Sequence, residues 1–445
     1  MTDSKDCFLE RSNDSANERR GIIIEDKQKI STRPFYLPCY KADFYLALLD
    51  YEPNKLNKRL IYIIDYEPNN RYNWLMRQYN WQQTDWPHFT YSLSGLEDKL
   101  FTFTEKVGRI SGILESLPED IQQETLINLM LEEAVKTSEI EGEFVSRQDV
   151  LSSIRKNLGL HVSPSVIKDP KAEGVAELMI DVKKSFKQPL TRQMLFRWHR
   201  MLFGDSDKII VGKWRTHEEP MQVISGAMGK EKVHFEAPPS SQVPSEMDQF
   251  IDWFNKTDPV GKKQLQNGPI RSGLAHLYFE SIHPFEDGNG RIGRAIAEKA
   301  LSQSIGRPVL LSLSETIESN KKAYYNALKT GQRSNEVTKW IHYFIDLLLQ
   351  SQEKAERQIE FTLRKVKFFD RFKEQLSERQ KKVINRMLDE GPEGFEGGMN
   401  ARKFVGITRV SKATATRDIQ QLVEMGVLVR YGKAGGRSTS YRVNL

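Results

Sequence analysis

HPFEDGNGRIGR, from His283 to Arg294, places one imidazole, two carboxylates, three glycines, an asparagine and two arginines within twelve residues. The segments on either side, GPIRSGLAHLYFESI and RIGRAIAEKALSQSI, carry apolar residues at helical spacing, so the stretch is predicted to be a loop between two helices. Gly288 and Gly290 permit unusual dihedral angles, which lets the loop expose successive N–H groups. Those groups would lie at the start of the second helix, where free amides and the helix dipole favour an anion.

The side chains of this loop suit the transfer of a phosphate-containing group. His283 ionises closest to neutral pH and is a candidate general base. Asp287 offers the hard oxygen that Mg²⁺ prefers. Arg291 and Arg294 are three residues apart, so they share one face of the helix and complete a polyphosphate cradle. The alternative is a connecting loop with surface charge, which fits less well because nine of the twelve positions are polar or glycine.

The stretch resembles the signature of Fic-domain proteins, His-Pro-Phe-x-Asp/Glu-Gly-Asn-Gly-Arg-x-x-Arg, at every fixed position. The resemblance extends over residues 95–350. Most such proteins transfer AMP from ATP to a Ser, Thr or Tyr hydroxyl of a target protein and release pyrophosphate. The resemblance therefore implies a nucleotidyltransferase of the protein adenylyltransferase type, with ATP as substrate, Mg²⁺ as cofactor and a hydroxyl-bearing protein as partner.

The resemblance also implies a role for each position of the motif. His283 would deprotonate the target hydroxyl, and Asp287 would hold Mg²⁺. Tyr324, in NKKAYYNAL, would contact the adenine or ribose, unless it is simply packed. The residues expected to bind the nucleotide are Gly288, Asn289, Gly290, Arg291, Ile292, Gly293, Arg294 and Tyr324. A relative that transfers phosphate or another nucleotide is a further alternative, but phosphate-transferring relatives carry a bulkier residue where this chain has Gly290.

A second motif suggests how the reaction is restrained. In KTSEIEG, Thr137, Glu141 and Gly142 fit the inhibitory pattern of the family, Ser/Thr-x-x-x-Glu-Gly/Asn. The resemblance implies that Glu141 pairs with Arg294 in a bidentate bridge, which would remove that arginine from the γ-phosphate. The alternative is an ordinary helix end with glycine as its stop. In relatives the same glutamate can also help to remove AMP, and that activity is left open here.

The segment GKWRTHEEPMQVISGAMGKEKVHFEAPPS interrupts the helices and is predicted to form a β-hairpin. It resembles the flap of the family, which docks an extended target segment by strand addition. The residues expected at the docking edge are Gln222, Val223, Ile224 and Ser225. A purely structural hairpin is the alternative.

The last part of the chain is predicted to be a winged helix-turn-helix, with three helices followed by a hairpin. Residues 401–445 hold nine basic and two acidic side chains, a balance of +7. The candidate DNA contacts are Lys412, Thr414, Thr416, Arg417, Lys433 and Arg437. The alternative use of such a module is protein contact or homodimer formation. A DNA-binding transcriptional regulator with a nucleotide-sensing Fic domain is therefore the second function considered.

The expected fold is mainly α: a Fic-type helical core with a β-hairpin flap and a C-terminal winged helix-turn-helix. The predicted divisions are a poorly ordered or appended leader, a helical region with the inhibitory helix, the catalytic core, a helical connector and the winged helix, at residues 1–78, 79–170, 171–350, 351–376 and 377–445. The leader repeats DYEPN at Asp50 and Asp65 and could lie upstream of the natural start, since Met76 opens a different pattern.

Composition narrows the class of protein. The net charge of +6 is mild and by itself indicates no partner. With only two cysteines, Cys7 and Cys39, a disulfide framework and a cysteine-ligated metal are excluded. The first twenty residues lack the apolar segment of a secretory signal. The longest apolar stretch, WIHYFIDLLL, is too short to span a bilayer. We therefore expect a soluble, cytoplasmic protein without membrane contact.

Overall fold

Four short β-strands are described in the first of the two units into which the chain divides, Met1–Gln78. They are β1 (Ile22–Asp26), β2 (Lys29–Arg33), β3 (Leu46–Leu48) and β4 (Leu60–Tyr62). Their order in the sheet is β2-β1-β3-β4, with β1 and β3 parallel and the other pairs antiparallel. Both DYEPN copies lie outside the described residues. The nature of this leader stays a prediction.

The second unit, Tyr79–Leu445, is mostly helical, which confirms the predicted fold class. The computed structural model describes residues 78–160, 168–225, 232–431 and 439–445 of this part of the chain. The helices are α1 (Glu97–Glu115), α2 (Glu119–Ile140), α3 (Arg147–Asn157), α4 (Pro170–Ser185), α5 (Arg192–Phe203), α6 (Val243–Lys256), α7 (Gly268–Ile282), α8 (Asn289–Ile305), α9 (Leu313–Ser319), α10 (Lys321–Gly331), α11 (Thr338–Phe372), α12 (Glu378–Leu388), α13 (Ala401–Thr408) and α14 (Lys412–Glu424). The strands are β5 (Gln222–Ser225), β6 (Lys232–Glu236), β7 (Leu428–Tyr431) and β8 (Ser440–Val443).

Helix α7 is the centre of the core, and all fifteen of its residues are buried. On one side it joins a cluster that includes Trp198, Phe250 and Phe285, and on the other a cluster that includes Trp340 and Phe344. Phe285 is fully buried, as expected of a core anchor. The loop that follows α7 therefore leaves a rigid element and is anchored again two residues after His283, so its side chains are held in place.

Helix α11 is a single element of 35 residues, roughly 50 Å long at the usual rise per residue. Trp340 near its start packs in the core around α7. Ala355 and Ile359 pack against Leu129 of α2, and Phe368 lies in the core of the C-terminal part. The boundary predicted between residues 350 and 351 falls inside this helix, because the apolar spacing continues across it. The division into domains stays a prediction.

The C-terminal part has three helices and an antiparallel hairpin, in the order that the sequence predicts. Met399 forms an isolated antiparallel bridge with Tyr441 beside the hairpin β7–β8. Ser411 caps α14, its hydroxyl accepting a hydrogen bond from the Thr414 amide at 3.2 Å. No helix within the described ranges has the length and apolar character needed to cross a membrane.

The candidate DNA contacts are only partly described. Lys412, Thr416 and Arg417 are exposed on α14, and Thr414 is half-buried. Lys433 and Arg437 lie outside the described residues, as does the rest of the 432–438 turn between the two strands. A winged helix that binds DNA therefore stays a prediction.

Candidate active site

The loop between α7 and α8 is held by its own asparagine. The Asn289 side chain accepts a hydrogen bond from the Phe285 amide at 2.9 Å and donates one to the Phe285 carbonyl at 2.8 Å. Gly288 precedes α8 with a φ of 80°, and a Cβ there would lie 2.7 Å from the ring of Phe203. His283 ends α7 with a φ of 52°, a left-handed conformation that is uncommon for a residue with a side chain. Such conformations concentrate at functional sites.

Two residues outside the motif fix the backbone of this loop. Arg215 donates from Nε to the His283 carbonyl at 2.8 Å, and its Nη2 donates to the Pro238 carbonyl at the end of the flap. His199 accepts from the Gly212 amide at 3.0 Å and donates from Nε2 to the Asp287 carbonyl at 3.2 Å. Burial lowers the pKa of His199 to about 4, so its ring stays neutral. The motif itself predicts neither contact, because Arg215 and His199 lie far from it in the sequence.

An anion cradle lies at the start of α8. The first intrahelical hydrogen bond joins the Ile292 amide to the Gly288 carbonyl at 3.0 Å, so the three preceding N–H groups have no partner within the helix. The side chains of Arg291 and Arg294 project from the same turn and are each 3% exposed. Ile292 is fully buried in the core and Gly293 packs against α7. Any contact of these two residues with a nucleotide would therefore be made by the backbone.

The predicted inhibitory segment contacts Arg294 directly. Nη2 of Arg294 donates to Glu141 Oε1 at 2.7 Å. Nε of Arg294 donates to the Thr137 hydroxyl at 2.8 Å, and Nη2 also donates to the Thr137 carbonyl at 3.1 Å. The prediction of a bidentate bridge to Glu141 is wrong, because only Nη2 donates to this carboxylate and Nε donates to Thr137 instead. A Cβ on Gly290 would overlap Glu141 Oε1, so only glycine lets the carboxylate approach this closely.

Glu143, two residues further on, forms a contact that the sequence analysis missed. Its carboxylate accepts a hydrogen bond from Nη1 of Arg291 and another from Nζ of Lys171 at 2.8 Å. Together the charges of Lys171 and Arg291 outweigh the effect of burial, which would raise the pKa of Glu143, and hold that pKa below its usual value. Both arginines of the cradle are thus paired with carboxylates from the segment after α2. The signal for this contact in the sequence was a second acidic residue, Glu143, close to Glu141.

Asp287 lies at the mouth of the cradle with its side chain 56% exposed. Its Oδ1 accepts a hydrogen bond from the Gly288 amide and lies 3.7 Å from Nη2 of Arg291. One accessible carboxylate beside an anion cradle fits Mg²⁺, which takes one or two carboxylates together with phosphate oxygens and water. The residues that the structure describes contain no cluster of three or more His, Cys, Asp or Glu side chains arranged to hold a metal.

Tyr324 lies beneath the cradle rather than on its surface. Its ring is 2% exposed, and its hydroxyl forms a hydrogen bond of 2.6 Å with Nε2 of His276. Burial raises the pKa of the Tyr324 phenol well above its usual value. In this conformation the ring is packed, which was the alternative considered for it. Contact with a nucleotide stays a prediction.

The hairpin β5–β6 has an exposed apolar pair at its centre. Ile224 faces Val233 across the strands, and the two side chains are 53% and 40% exposed. A bulge lies between Val223 and Ile224, the kind of irregularity that bends a strand near a functional site. Gln222 is exposed and Val223 packs partly against Phe235 and Tyr79. Ser225 ends the strand, and its side chain lies outside the described part.

Comparison with known families assigns two segments of the chain. Residues 79–160 match a domain of unknown function, DUF4172. Residues 189–301 match the Fic/DOC family, and this segment includes the entire HPFEDGNGRIGR motif. The first match covers α2 and the Glu141–Glu143 segment. The second covers the flap, α7 and most of α8, ending at residue 301.

Individual relatives match over smaller parts of their length. The chain is 27% identical over 134 residues to the protein adenylyltransferase fic-1 of Caenorhabditis briggsae, covering 30% of this chain and 22% of that one. It is 26% identical over 171 residues to the protein adenylyltransferase Fic of Drosophila willistoni, covering 38% of this chain and 29% of that one. The chain thus spans less than a third of the length of these curated relatives.

Among solved structures, a Fic family protein from Desulfovibrio desulfuricans is similar with a TM-score of 0.45 and 19% identity, over 80% of this chain and 98% of that one. The match to the Fic/DOC family covers the segment that carries the loop, with His283, Arg291 and Arg294. Residues 189–301 therefore form a Fic/DOC domain of this chain.

Proposed function

We propose that this chain is a self-inhibited protein adenylyltransferase, which moves AMP from ATP to a serine, threonine or tyrosine hydroxyl of a target protein. A bond forms between the target oxygen and the α-phosphorus, the bond from the α-phosphorus to the bridging oxygen breaks, and pyrophosphate leaves. His283 accepts the proton of the hydroxyl group. The names of the relatives support this reaction, and the loop geometry supplies the groups that it needs.

One observation carries the proposal: a single loop brings a base, an accessible carboxylate, free backbone amides and two arginines around one cradle. Phosphoryl-type transfer depends mainly on positioning and on neutralising charge, and these groups provide both. Arg291 and Arg294 would bind the outer phosphates, while the amides at the start of α8 face the developing charge. Asp287 would hold Mg²⁺, which when bound supplies further charge neutralisation at the phosphates.

The proposed restraint is competition for the arginines. Arg294 is 3% exposed and satisfied by Glu141 and Thr137, so a γ-phosphate would have to displace a carboxylate to reach it. Glu141 also lies against Gly290, inside the cradle. Removing Glu141 would therefore both free the arginine and remove a negative charge from the phosphate site.

Target binding would use the flap. The exposed pair Ile224 and Val233 lies on a two-stranded sheet whose outer edges can accept a further strand. Arg215 connects the end of this flap to the His283 carbonyl. A target segment added to the hairpin would thus be held close to the base.

The test is labelling with radioactive ATP in the presence of Mg²⁺. Glu141→Gly should transfer AMP to itself or to proteins in a cell lysate much faster than the wild type. Adding His283→Ala should abolish this transfer, because no other side chain replaces the base. Equal labelling by wild type and Glu141→Gly would refute the inhibition, and undiminished labelling after His283→Ala would refute the reaction. Mass spectrometry of the labelled proteins would then identify the targets.

The second candidate, a DNA-binding regulator with a nucleotide-sensing Fic domain, is favoured by one observation. Lys412, Thr416 and Arg417 are exposed along α14, the helix that would enter a groove of DNA. Salt-sensitive binding to DNA without any labelling of proteins by ATP would support this candidate over the first.

A further inference from the structure

Glu280 lies on α7, one turn before His283, and is 4% exposed. Its Oε2 is 3.6 Å from Nδ1 of His283. That separation is slightly long for a hydrogen bond, but catalytic contacts of this kind commonly shorten when substrate binds. Neither His283 Nδ1 nor Glu280 Oε1 has a hydrogen-bond partner within the described residues. A buried carboxylate therefore faces the buried nitrogen of the proposed base. Each group can provide a hydrogen-bond partner for the other.

The neighbouring helix leaves room for this carboxylate. A Cβ on Gly293 of α8 would overlap Glu280 Oε1 and would lie 3.2 Å from Cε1 of His276. Any other residue at this position would push Glu280 out of its place. Gly293 thus has a role that is separate from the phosphate cradle, because it faces α7 and leaves space for Glu280.

The charges around Glu280 keep it ionised. Burial alone would raise its pKa, but the contact with His283 and the charge of Arg294 oppose burial, and the pKa is lowered. The phenols of Tyr324 and Tyr325 are the other titratable groups that face it. An ionised Glu280 can only accept hydrogen bonds, so the facing Nδ1 of His283 must be the donor.

We propose that Glu280 is a positioning residue for His283, which accepts a hydrogen bond from Nδ1–H and so leaves the lone pair on Nε2 for the target hydroxyl. The inference rests on the proposed function and deepens it. During transfer, the hydroxyl proton moves to Nε2 while Nδ1 keeps its own proton. The imidazolium that results is stabilised by the carboxylate, which itself takes no proton. A carboxylate behind a histidine acts in this way in other acyl- and group-transfer sites.

A purely structural role for Glu280 would have different consequences. If the carboxylate only balanced the buried charge of Arg294, its loss would weaken the binding of ATP through that arginine. If it orients His283, its loss lowers kcat and leaves the KM for ATP unchanged. The two roles are therefore separated by which kinetic constant changes.

The kinetic test uses the full chain with Glu141→Gly, so that transfer is measurable. Glu280→Gln and, as a second variant, Glu280→Met should lower kcat by about 10²-fold, the typical contribution of a positioned base. A fall in ATP affinity with unchanged kcat would overturn the proposal.

Gly293→Ala offers an independent approach from the opposite helix. It should lower kcat in the same way, because the added methyl group displaces Glu280. Gly108→Ala is the matched control, since a Cβ at that helical position meets no atom within 4 Å. Equal activity of Gly293→Ala and Gly108→Ala would contradict the steric part of the argument.

A spectroscopic readout does not depend on activity. The chain has eight histidines, and the ¹⁵N signals of His283 are identified by their loss in His283→Ala. The wild-type ring should carry its proton on Nδ1, and Glu280→Met should produce a mixture of the two tautomers. An unchanged tautomer would refute the role of Glu280 even if the chain transferred no AMP. Failure of Glu141→Gly to transfer AMP would instead count against the proposed function alone.

Discussion

At the scale of single residues, the cradle is defined by two arginines that each have a carboxylate partner. Arg294 contacts Glu141, and Arg291 contacts Glu143. Both guanidinium groups are almost completely buried, and a buried charge without a partner is costly. Either arginine is therefore expected to hold its carboxylate until another anion replaces it. In the proposed function ATP supplies such an anion, and the strength of the proposed inhibition would then depend on both pairs.

Glu143→Gln tests the second pair. In the Glu141→Gly background it should raise the initial rate of AMP transfer at low ATP by roughly tenfold, because a charged hydrogen bond contributes about 1.5 kcal/mol or more. The rate of labelling with radioactive ATP measures this. Glu139→Gln is the matched control, since that carboxylate bonds to Lys136 at 2.7 Å and touches neither arginine. Equal rates with and without Glu143→Gln would show that Arg291 is not restrained.

At the scale of elements, helix α2 is fixed to α9 through a buried acid. The Glu133 carboxylate accepts hydrogen bonds from the Ser314 amide, at 3.1 and 3.0 Å, and from its hydroxyl. Burial raises the pKa of Glu133 to about 7, and the charge of Glu298 adds to the effect, although the bonds from Ser314 oppose it. The helix that carries Glu141 is thus held by a group that titrates near neutral pH.

The raised pKa of Glu133 predicts that the contribution of this residue to the free energy of unfolding falls as the pH rises. Because the pKa of Glu133 is raised on folding, its contribution is fully present below the usual value of 4.5 and is lost as the pH rises through about 7. The shift corresponds to about 3 kcal/mol at 1.4 kcal/mol per unit. The unfolding midpoint of Glu133→Gln should therefore depend less on pH than that of the wild type in this window.

Scanning calorimetry between about pH 5 and pH 8 measures the difference. Glu132→Gln is the neighbouring control, because that side chain is only half-buried and pairs with Arg147. Parallel midpoint curves for wild type and Glu133→Gln would contradict the assignment.

At the scale of the whole unit from Tyr79 to Leu445, α11 connects the core to the C-terminal helices. It contacts the first core, then α2, then the C-terminal core along its length. Since α2 leads directly into Glu141, a partner of the C-terminal helices would act on an element that also packs against the helix proposed to be inhibitory. The identity of such a partner would therefore bear on the proposed regulation.

A gel shift with random duplex DNA tests for a nucleic-acid partner. If α14 contacts phosphates, the double change Lys412→Ala and Arg417→Ala should weaken binding at all sequences and reduce the salt slope by about 2. Lys99→Ala with Lys106→Ala removes the same charge from α1 and should change neither quantity. Absence of salt-dependent binding by the wild type would favour protein contact or a homodimer instead.

Local spacing by itself determined much of this protein. The HPFEDGNGRIGR loop between two helices, the end of α2 beside Gly142 and the β5–β6 hairpin all depend on neighbouring residues, so the sequence predicted them. The Fic/DOC domain at residues 189–301 was predicted from the same loop. The continuity of α11 was missed, because a change in composition at Ser351 suggested a boundary where the helix continues.

Only the tertiary structure decided which side chains meet. Glu141 and Glu143 are separated from their arginines by 153 and 148 residues, so no local pattern determines which acid pairs with which arginine. Arg215 is an ordinary charged residue in the sequence, and its contact with the His283 carbonyl depends on how α7 is packed against the flap. Glu280 lies close to His283 through helical spacing, but its burial depends on the packing of α8 against α7. The sequence therefore determined which groups are proposed to carry the chemistry. Packing determined how they are restrained and aligned.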